Sequence, residues 1–196
     1  MSSNSLILVL VDPSERLDYV IEENSILGRL RTYYIYRYIY PDSTRAMPED
    51  EFELKRRNNE YLQVREYRGY KYGLSKASVR RVLDKGLTPI VSLVSSSLHT
   101  FIDEFGKDNV FVVFIDKPMM MLLSDIKFHS GEDISDAEVH ERLRDCLVEK
   151  DYYHSHKDEF DVYFINVFSN AREAVDNLFQ AFSAPEHLNR WMSTLK

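Results

Sequence analysis

The sequence predicts an α/β protein in which a parallel sheet is flanked by helices. Four short apolar runs occupy residues 6–11, 90–94, 110–115 and 162–166, and helical patterns fill the intervals between them. Runs that are apolar at every position are typical of strands covered on both faces, as in a parallel sheet. The alternation of such runs with helices therefore favours one parallel sheet with helices on its faces.

Capping residues mark the predicted helices. Ser75 is the expected N-cap of a helix over residues 76–85, which Gly86 ends. Residues 97–105 form a weaker helical pattern. Ser135 and Glu138 have the spacing of a capping box, and the long helix that they begin continues beyond residue 149. Its predicted inner face is formed by Val139, Leu143 and Leu147.

The last predicted helix begins near residue 170 and faces inward with Ala174, Leu178 and Ala181. The segment 31–72 does not follow the strand and helix rhythm. It predicts a small mixed lobe with a tyrosine-rich strand over residues 33–40, a helix beginning near Pro48 and a ribbon over residues 61–72.

Composition and charge limit the classes of function. The chain has 196 residues and a net charge of −7, which suits a single domain but not a general nucleic-acid binder. Residues 6–11 are too short to cross a membrane and follow no basic leader, so we expect a cytoplasmic protein. The single cysteine, Cys146, is expected to be a buried helix residue without chemistry.

The usual catalytic and metal-binding motifs are missing from the sequence. It contains no CxxC pair, no GxGxxG loop and no recognisable Ser/His/Asp triad. His154 and His156 are two positions apart, whereas helical zinc ligands are four apart and share a face. We therefore predict no metal ion, no cofactor and no catalytic residue of these kinds.

A resemblance to a known family is carried by residues 69–75, which read Gly-Tyr-Lys-Tyr-Gly-Leu-Ser, and by the helix that follows. This stretch resembles the guanylate kinase family, where a glycine, two residues and Tyr-Gly-Thr/Ser precede a helix. Further similar stretches follow the family's order at residues 49–52, 60–62, 135–143 and 158–166, so the resemblance covers residues 6–182.

The resemblance implies a P-loop-kinase-like fold. In that fold, residues 1–183 would form one guanylate-kinase-like domain, with residues 31–72 as its small monophosphate-binding lobe. Residues 117–135 would correspond to a degenerate lid, and residues 184–196 would form a C-terminal tail.

The departures from the family concentrate on the phosphate donor. A phosphate-binding loop needs glycines, a lysine and a Ser/Thr, yet residues 12–18 contain no glycine and no lysine and carry Asp12, Glu15 and Asp18. Two carboxylates about 4 Å apart repel by about 4 kcal/mol at an effective dielectric of 20. The family's Asp-x-Asp motif falls on Ser92-Leu93-Val94, and no arginine occurs between Arg81 and Arg142. The resemblance thus implies a chain without the usual ATP site.

The phosphate acceptor side is better kept. Tyr72 matches a family tyrosine that holds the monophosphate, Arg142 matches an arginine of the long helix, and Arg37 and Arg45 are the candidate arginines of the small lobe. Gln63 stands where a guanine-reading glutamate is expected. A guanidinium beside phenol donors can bind a phosphate dianion, so these five residues are the predicted phospho-ligand site.

Three functions follow from this pattern. The leading one is a catalytically inactive guanylate kinase homologue that acts by binding a phosphorylated, GMP-like ligand or a protein partner. The alternative is an active guanylate kinase or ribose bisphosphate kinase-like enzyme with another donor site, for which Lys71, Lys76 and Lys127 are available cations. The third is a sensor that changes partners on binding a GMP-like nucleotide. The sequence does not predict the oligomeric state.

Overall fold

The computed structural model describes residues 7–12, 32–34, 47–67, 70–129, 134–167 and 171–182. Its strands are β1 (Ile7–Val11), β2 (Thr32–Tyr34), β3 (Tyr61–Tyr67), β4 (Tyr70–Ser75), β5 (Thr88–Leu93), β6 (Val110–Asp116) and β7 (Val162–Ile165). Its α-helices are α1 (Glu49–Arg57), α2 (Lys76–Asp84), α3 (Leu98–Phe105), α4 (Met119–His129), α5 (Asp136–Ser155) and α6 (Ala171–Phe182).

Five of the described strands form a parallel sheet in the order β2-β5-β1-β6-β7. The central strand β1 is buried at every position, and Val9 lies in register with Val91 on one side and Val112 on the other. Strands covered on both faces need apolar side chains throughout, which explains the four uninterrupted runs in the sequence. The predicted α/β fold with a parallel sheet is confirmed.

The strand β2 differs from the sequence prediction. Residues 33–40 were expected to form a strand of the small lobe, but Thr32–Tyr34 pairs with β5, where Tyr33 lies in register with Pro89. A strand of three residues is too short to produce a long apolar run in the sequence. The sequence pattern therefore did not indicate that Thr32–Tyr34 belongs to the main sheet. Residues 35–40 lie outside the described residues.

A second, antiparallel sheet joins β3 and β4 and packs beside α1. Phe52 of α1 stacks on Tyr61 of β3 with ring centroids 4.8 Å apart. Gly73 lies against this pair, and a Cβ atom there would come within 2.6 Å of the Tyr61 ring. The glycine therefore lets β4 pack closely against the aromatic pair, which holds the hairpin against α1. The predicted ribbon and the predicted helix near Pro48 are both present.

The helices begin and end near the predicted residues, but the Ser75 side chain makes no capping hydrogen bond at the start of α2. Helix α2 ends at Asp84, shortly before Gly86, whose φ of 67° is accessible mainly to glycine. The Ser135 side chain accepts a hydrogen bond from the Glu138 backbone N–H at the start of α5. Within α5 the predicted inner face was wrong at one position, since Leu147 is 43% exposed while Cys146 beside it is buried. The helix is turned so that Cys146, not Leu147, meets the core.

Candidate functional site

One face of the β3–β4 hairpin brings together two predicted site residues and a third residue that the sequence did not single out. Gln63 and Arg65 are at alternate positions of β3 and so point the same way, and Tyr72 of β4 lies directly opposite Arg65. We call Gln63, Arg65 and Tyr72 the hairpin face. The predicted residues Arg37 and Arg45 lie outside the described residues.

Gln63 carries the strongest signal on this face. Its side chain is 3% exposed, and among the described residues neither its amide nitrogen nor its amide oxygen has a hydrogen-bond partner. Leaving a buried polar group without a partner costs about 1–3 kcal/mol, so native folds rarely keep one without a reason. A primary amide offers one donor and one acceptor side by side, which is suited to a ligand with the complementary pair.

Helix α5 approaches the hairpin face at Asp145, and it also carries the predicted residue Arg142. Asp145 of this helix approaches Arg65, with 3.9 Å between the Arg65 Nη2 and Asp145 Oδ2 atoms. One turn earlier, Arg142 donates through Nη2 to Glu138 at 3.0 Å, while its buried Nε has no partner. The hairpin face therefore combines a guanidinium group, a phenol and a buried amide, a donor set that suits an oxyanion attached to a polar ring, and Arg142 carries a second guanidinium group on the neighbouring helix.

Sequence reasoning missed Arg65 because no family motif points to it. The signal that could have found it is the strand period: position 65 shares a face with Gln63, and an antiparallel ribbon places it against Tyr72. Its contact with Asp145 joins residues 80 positions apart and cannot be read from local spacing.

The carboxyl ends of β1, β5, β6 and β7 lie at one edge of the main sheet, where ligands usually bind in open α/β sheets. We call this the carboxyl edge. Buried polar residues line it: Asp12 after β1, Ser95 after β5, Lys117 after β6 and Asn166 after β7. Of the residues that the resemblance aligns with the Asp-x-Asp motif, Ser92 and Leu93 are buried and Val94 is partly buried.

Side chains of α5 satisfy several groups of this edge. Lys150 contacts Asp116 with 2.5 Å between Nζ and Oδ1 and donates to the Lys117 carbonyl at 2.7 Å. Glu149 accepts from the Ser95 backbone N–H at 2.8 Å, and Lys117 itself pairs with Asp125. The cations Lys117 and Lys150 are therefore engaged by protein groups.

Titration at this edge follows from the same contacts. Partial burial opposes ionisation of Asp116, but hydrogen bonds from Lys150 and Tyr163, with the Lys150 charge, hold the pKa of the Asp116 carboxyl below its ordinary value. Burial and the hydrogen bond to Asp116 raise the pKa of Tyr163 to about 12. Asp116 is thus kept as an anion and Tyr163 as a neutral donor.

Of the three lysines available for a substitute donor site, Lys71 and Lys76 are paired with carboxylates. Lys71 lies between Glu49 and Glu53, at 2.8 and 2.7 Å from their carboxylate oxygens, and these hydrogen bonds raise the pKa of Lys71. Lys76 pairs with Glu104 at 3.0 Å, and Lys127 is exposed on α4.

Within the described residues no group of three or more His, Cys, Asp or Glu side chains is arranged to hold a metal ion. His156 stacks on Tyr152 with ring centroids 4.1 Å apart. None of the described helices combines the length and the apolar character needed to span a membrane.

The parallel sheet and the small antiparallel sheet form an α/β fold of the P-loop-kinase-like kind. The crystal structure of guanylate kinase from Anaplasma phagocytophilum is similar to it, with a TM-score of 0.62 and 19% sequence identity over 93% of this chain and 87% of that one. At this identity the likeness shows a guanylate-kinase-like fold. No protein-family model matches the chain, and no curated protein matches it.

Proposed function

We propose that this chain binds a phosphorylated, GMP-like ligand on the hairpin face and does not catalyse phosphoryl transfer. The observation that carries the proposal is Gln63, a buried side chain whose amide donor and acceptor both lack a partner. A bound ring that presents the complementary pair would remove this penalty, so the free energy lost in the empty site becomes affinity for the ligand.

We assign the anionic part of the ligand to Tyr72 and Arg142. Tyr72 lies on the same hairpin face, and Arg142 supplies a buried Nε without a partner from helix α5. Together with the chain's resemblance to a kinase whose small lobe holds a monophosphate, these groups support a phosphomonoester as the ligand.

The proposed lack of catalysis is supported by the donor side. The segment after β1 contains no glycine and no lysine over residues 12–18, so it cannot supply the backbone cradle and the lysine of a phosphate-binding loop. Two cations at the carboxyl edge, Lys117 and Lys150, are paired with Asp125 and Asp116. No contact in the described residues favours the alternative of an active guanylate kinase or ribose bisphosphate kinase-like enzyme.

The biological role we propose is regulatory. A cytoplasmic protein that binds a monophosphate without consuming it can report its concentration to a protein partner through the change between empty and filled states. The partner would then recognise one of the two states, which unites the binding and sensor functions that the sequence suggested.

The test is a thermal-shift titration of the purified chain with GMP, dGMP, AMP and ATP, each with and without magnesium. A ligand present at 100 times its dissociation constant stabilises the folded state by about 2.7 kcal/mol, which is readily detected. We expect stabilisation by monophosphates, independent of magnesium, and none by ATP.

The other outcomes separate the competing functions. Stabilisation by ATP and magnesium, with ADP formed when GMP is added, would establish the enzyme and contradict the proposal. A chain that no nucleotide stabilises would contradict ligand binding and favour a protein partner alone.

A further inference from the structure

We propose that a groove between helix α2 and the turn that follows α1 binds an acidic segment of a protein partner. The groove has a volume of about 540 Å³, and its lining includes Asn59 and Glu60 of the turn with Lys76, Arg80, Arg81 and Asp84 of α2. We call it the α2 groove. None of the three residues of the hairpin face lines it, so it is a second site. The inference rests on the proposed regulatory role, because that role requires a protein partner, but it does not depend on the ligand.

The charge around the α2 groove is opposite in sign to that of the whole chain. Residues 55–60 and 76–85 contain seven basic and two acidic residues, whereas the 196 residues together carry a net charge of −7. Ion pairs with Glu51, Glu53 and Glu104 hold four of the seven cations. The side chains of Arg81 and Lys85 make no hydrogen bond or ion pair with a described residue. The groove therefore offers positive charge that no ion pair compensates.

Arg80 and Arg81 are the residues that we expect to bind the acidic segment. The Arg80 side chain is 62% exposed, and its pair with Glu104 engages Nη2, so N–H donors remain on its other nitrogens. Arg81 is exposed, and none of its side-chain donors is used within the described residues. Adjacent guanidinium groups suit carboxylates, because each can donate two parallel hydrogen bonds to one carboxylate.

Glu104 of α3 prepares this wall of the groove for binding. Its side chain is 17% exposed, lies 3.0 Å from the Lys76 ammonium nitrogen through one carboxylate oxygen and pairs with Arg80 through the other. A side chain that is already held in place loses less rotamer freedom when a partner binds. Arg80 is therefore a preorganised anchor, while Arg81 supplies the uncompensated charge.

The shape and the charges of the groove favour a peptide over other anions. Most of its lining residues are exposed, so the groove is too open to enclose a small molecule in the usual way. Glu60 and Asp84 would repel the uniformly charged backbone of a nucleic acid, whereas a peptide can place N–H groups or a basic side chain beside them. The inferred partner segment is accordingly acidic at the positions that meet Arg80 and Arg81.

The α2 groove also adjoins the hairpin that carries the proposed ligand site. Glu60 directly precedes β3, Lys76 directly follows β4, and the Lys76 backbone N–H donates to the Glu60 carbonyl at 2.9 Å. The base of the hairpin thus forms part of the groove wall. A partner bound there would contact the same hairpin that bears Gln63 and Tyr72, as the regulatory role requires.

The experiment is a fluorescence-anisotropy titration of the full chain with a labelled peptide of alternating glutamate and glycine residues. The same peptide with glutamine in place of glutamate is the neutral probe. We expect the wild-type chain to bind the acidic probe at least about tenfold more tightly than the neutral one, because the neutral probe loses the charge-assisted hydrogen bonds. Arg81→Ala should weaken binding of the acidic probe by about two- to fivefold, and Asp84→Asn should tighten it by about twofold, as expected for exposed ion pairs.

Two matched controls lie on α5, outside the groove. Arg144 and Asp151 are exposed, and their side chains make no hydrogen bond or ion pair with a described residue. Arg144→Ala and Asp151→Asn change the net charge by the same amounts as Arg81→Ala and Asp84→Asn, so long-range attraction alone would affect each matched pair equally. We expect neither control to change the affinity measurably, and circular dichroism verifies that each variant is folded.

The inference is overturned if the wild-type chain binds the acidic and neutral probes equally, or if Arg81→Ala and Arg144→Ala have equal effects. It is also overturned if polyuridylate or phosphatidylserine vesicles displace the acidic probe at a lower concentration of charges than the unlabelled probe does. That result would identify a nucleic acid or a membrane as the occupant.

The thermal shift with GMP separates this inference from the proposed ligand. Arg81→Ala should be stabilised by GMP as strongly as the wild-type chain, because Arg81 lies outside the hairpin face. A wild-type chain that binds the acidic probe but not GMP would contradict the proposed ligand and support the groove. A chain that is stabilised by GMP but binds neither probe would overturn the groove and leave the ligand standing.

Discussion

The hairpin face and the carboxyl edge both bury polar side chains, but they satisfy them differently. On the hairpin face, neither amide atom of Gln63 has a partner among the described residues. At the carboxyl edge, Asp116 Oδ1 also makes no hydrogen bond of standard geometry, but it lies 2.5 Å from the Lys150 ammonium group, and Asp116 Oδ2 accepts from Tyr163. The Lys117 side chain pairs with Asp125. Unsatisfied groups lower stability until a ligand arrives, whereas satisfied groups hold the fold together. The difference supports the proposal that the hairpin face binds a ligand, while the ion pairs of the carboxyl edge stabilise the fold.

The largest expected effect comes from breaking the carboxyl edge at Lys150. The side chains of Lys150 and Asp116 are 16% and 19% exposed, so Lys150→Ala leaves a largely buried carboxylate without its cation. Removing one partner of a buried pair costs about 3 kcal/mol, which urea unfolding would measure as a lower free energy of unfolding. GMP affinity should not change, because this pair lies outside the hairpin face. A loss below about 1 kcal/mol would mean that the pair is screened by water.

The second prediction has the opposite sign and concerns the hairpin face. Gln63→Leu replaces two unsatisfied buried groups by an apolar side chain of similar size, and the free energy of unfolding of the empty chain should rise by about 1–2 kcal/mol. The same change should abolish stabilisation by GMP.

Gln180→Leu on the exposed side of α6 is the control for the loss of an amide, and it should change stability by less than about 0.5 kcal/mol. If Gln63→Leu instead destabilises the empty chain by more than 1 kcal/mol, the Gln63 amide has a partner in solution and the main argument for the site is lost.

Much of the fold could be predicted because local signals coincide with burial. The runs that became β1, β5, β6 and β7 are apolar at every position, and Ser135 and Gly86 cap or end helices through contacts within a few residues. Such signals do not depend on the rest of the fold.

The remaining features depend on contacts that local patterns do not contain. The strand Thr32–Tyr34 is identified only by its pairing with β5, and the rotation of α5 that buries Cys146 and exposes Leu147 depends on what the helix packs against. For the candidate site, the family motif points to Tyr72 and Arg142, and their role in binding stays a prediction. The contact between Arg65 and Asp145 and the isolation of the Gln63 amide required the tertiary structure.

A third prediction tests the carboxyl edge through pH. The pKa of Asp116 in the folded chain is below its ordinary value of 3.8, so its ionised form stabilises the fold above about pH 4. This contribution is lost as the pH falls below 3.8 through the folded-state pKa, because the unfolded chain then binds the proton more readily than the folded one. Unfolding measured between pH 6 and pH 2.5 should show a shallower acid decline in Lys150→Ala than in the wild type, and equal declines would contradict the assignment.

A fourth, smaller effect is expected at the hydroxyl group of Tyr163. It donates to Asp116 at 2.5 Å, and Tyr163→Phe removes this hydrogen bond while keeping the ring that stacks on Tyr153 at 4.8 Å. The free energy of unfolding should fall by about 1 kcal/mol, less than for Lys150→Ala because the lysine remains as a partner of Asp116. Tyr163→Leu removes the stacking as well and should cost more, so equal losses for the two variants would show that the hydroxyl contributes nothing.

The smallest expected effect is the difference in affinity between GMP and AMP, which tests whether Gln63 contacts the base. A carboxylate accepts from two neighbouring donors, as guanine presents, whereas the Gln63 carboxamide has one donor and one acceptor and can turn to match either guanine or adenine. The wild-type chain should therefore bind GMP and AMP within about threefold of each other. Gln63→Glu should bind GMP about tenfold more tightly than AMP, since the acceptor pair would then leave adenine's ring nitrogen facing a carboxylate. A strong guanine preference in the wild type would place another group, not Gln63, against the base, and it would leave the unsatisfied amide without the ligand that we assign to it.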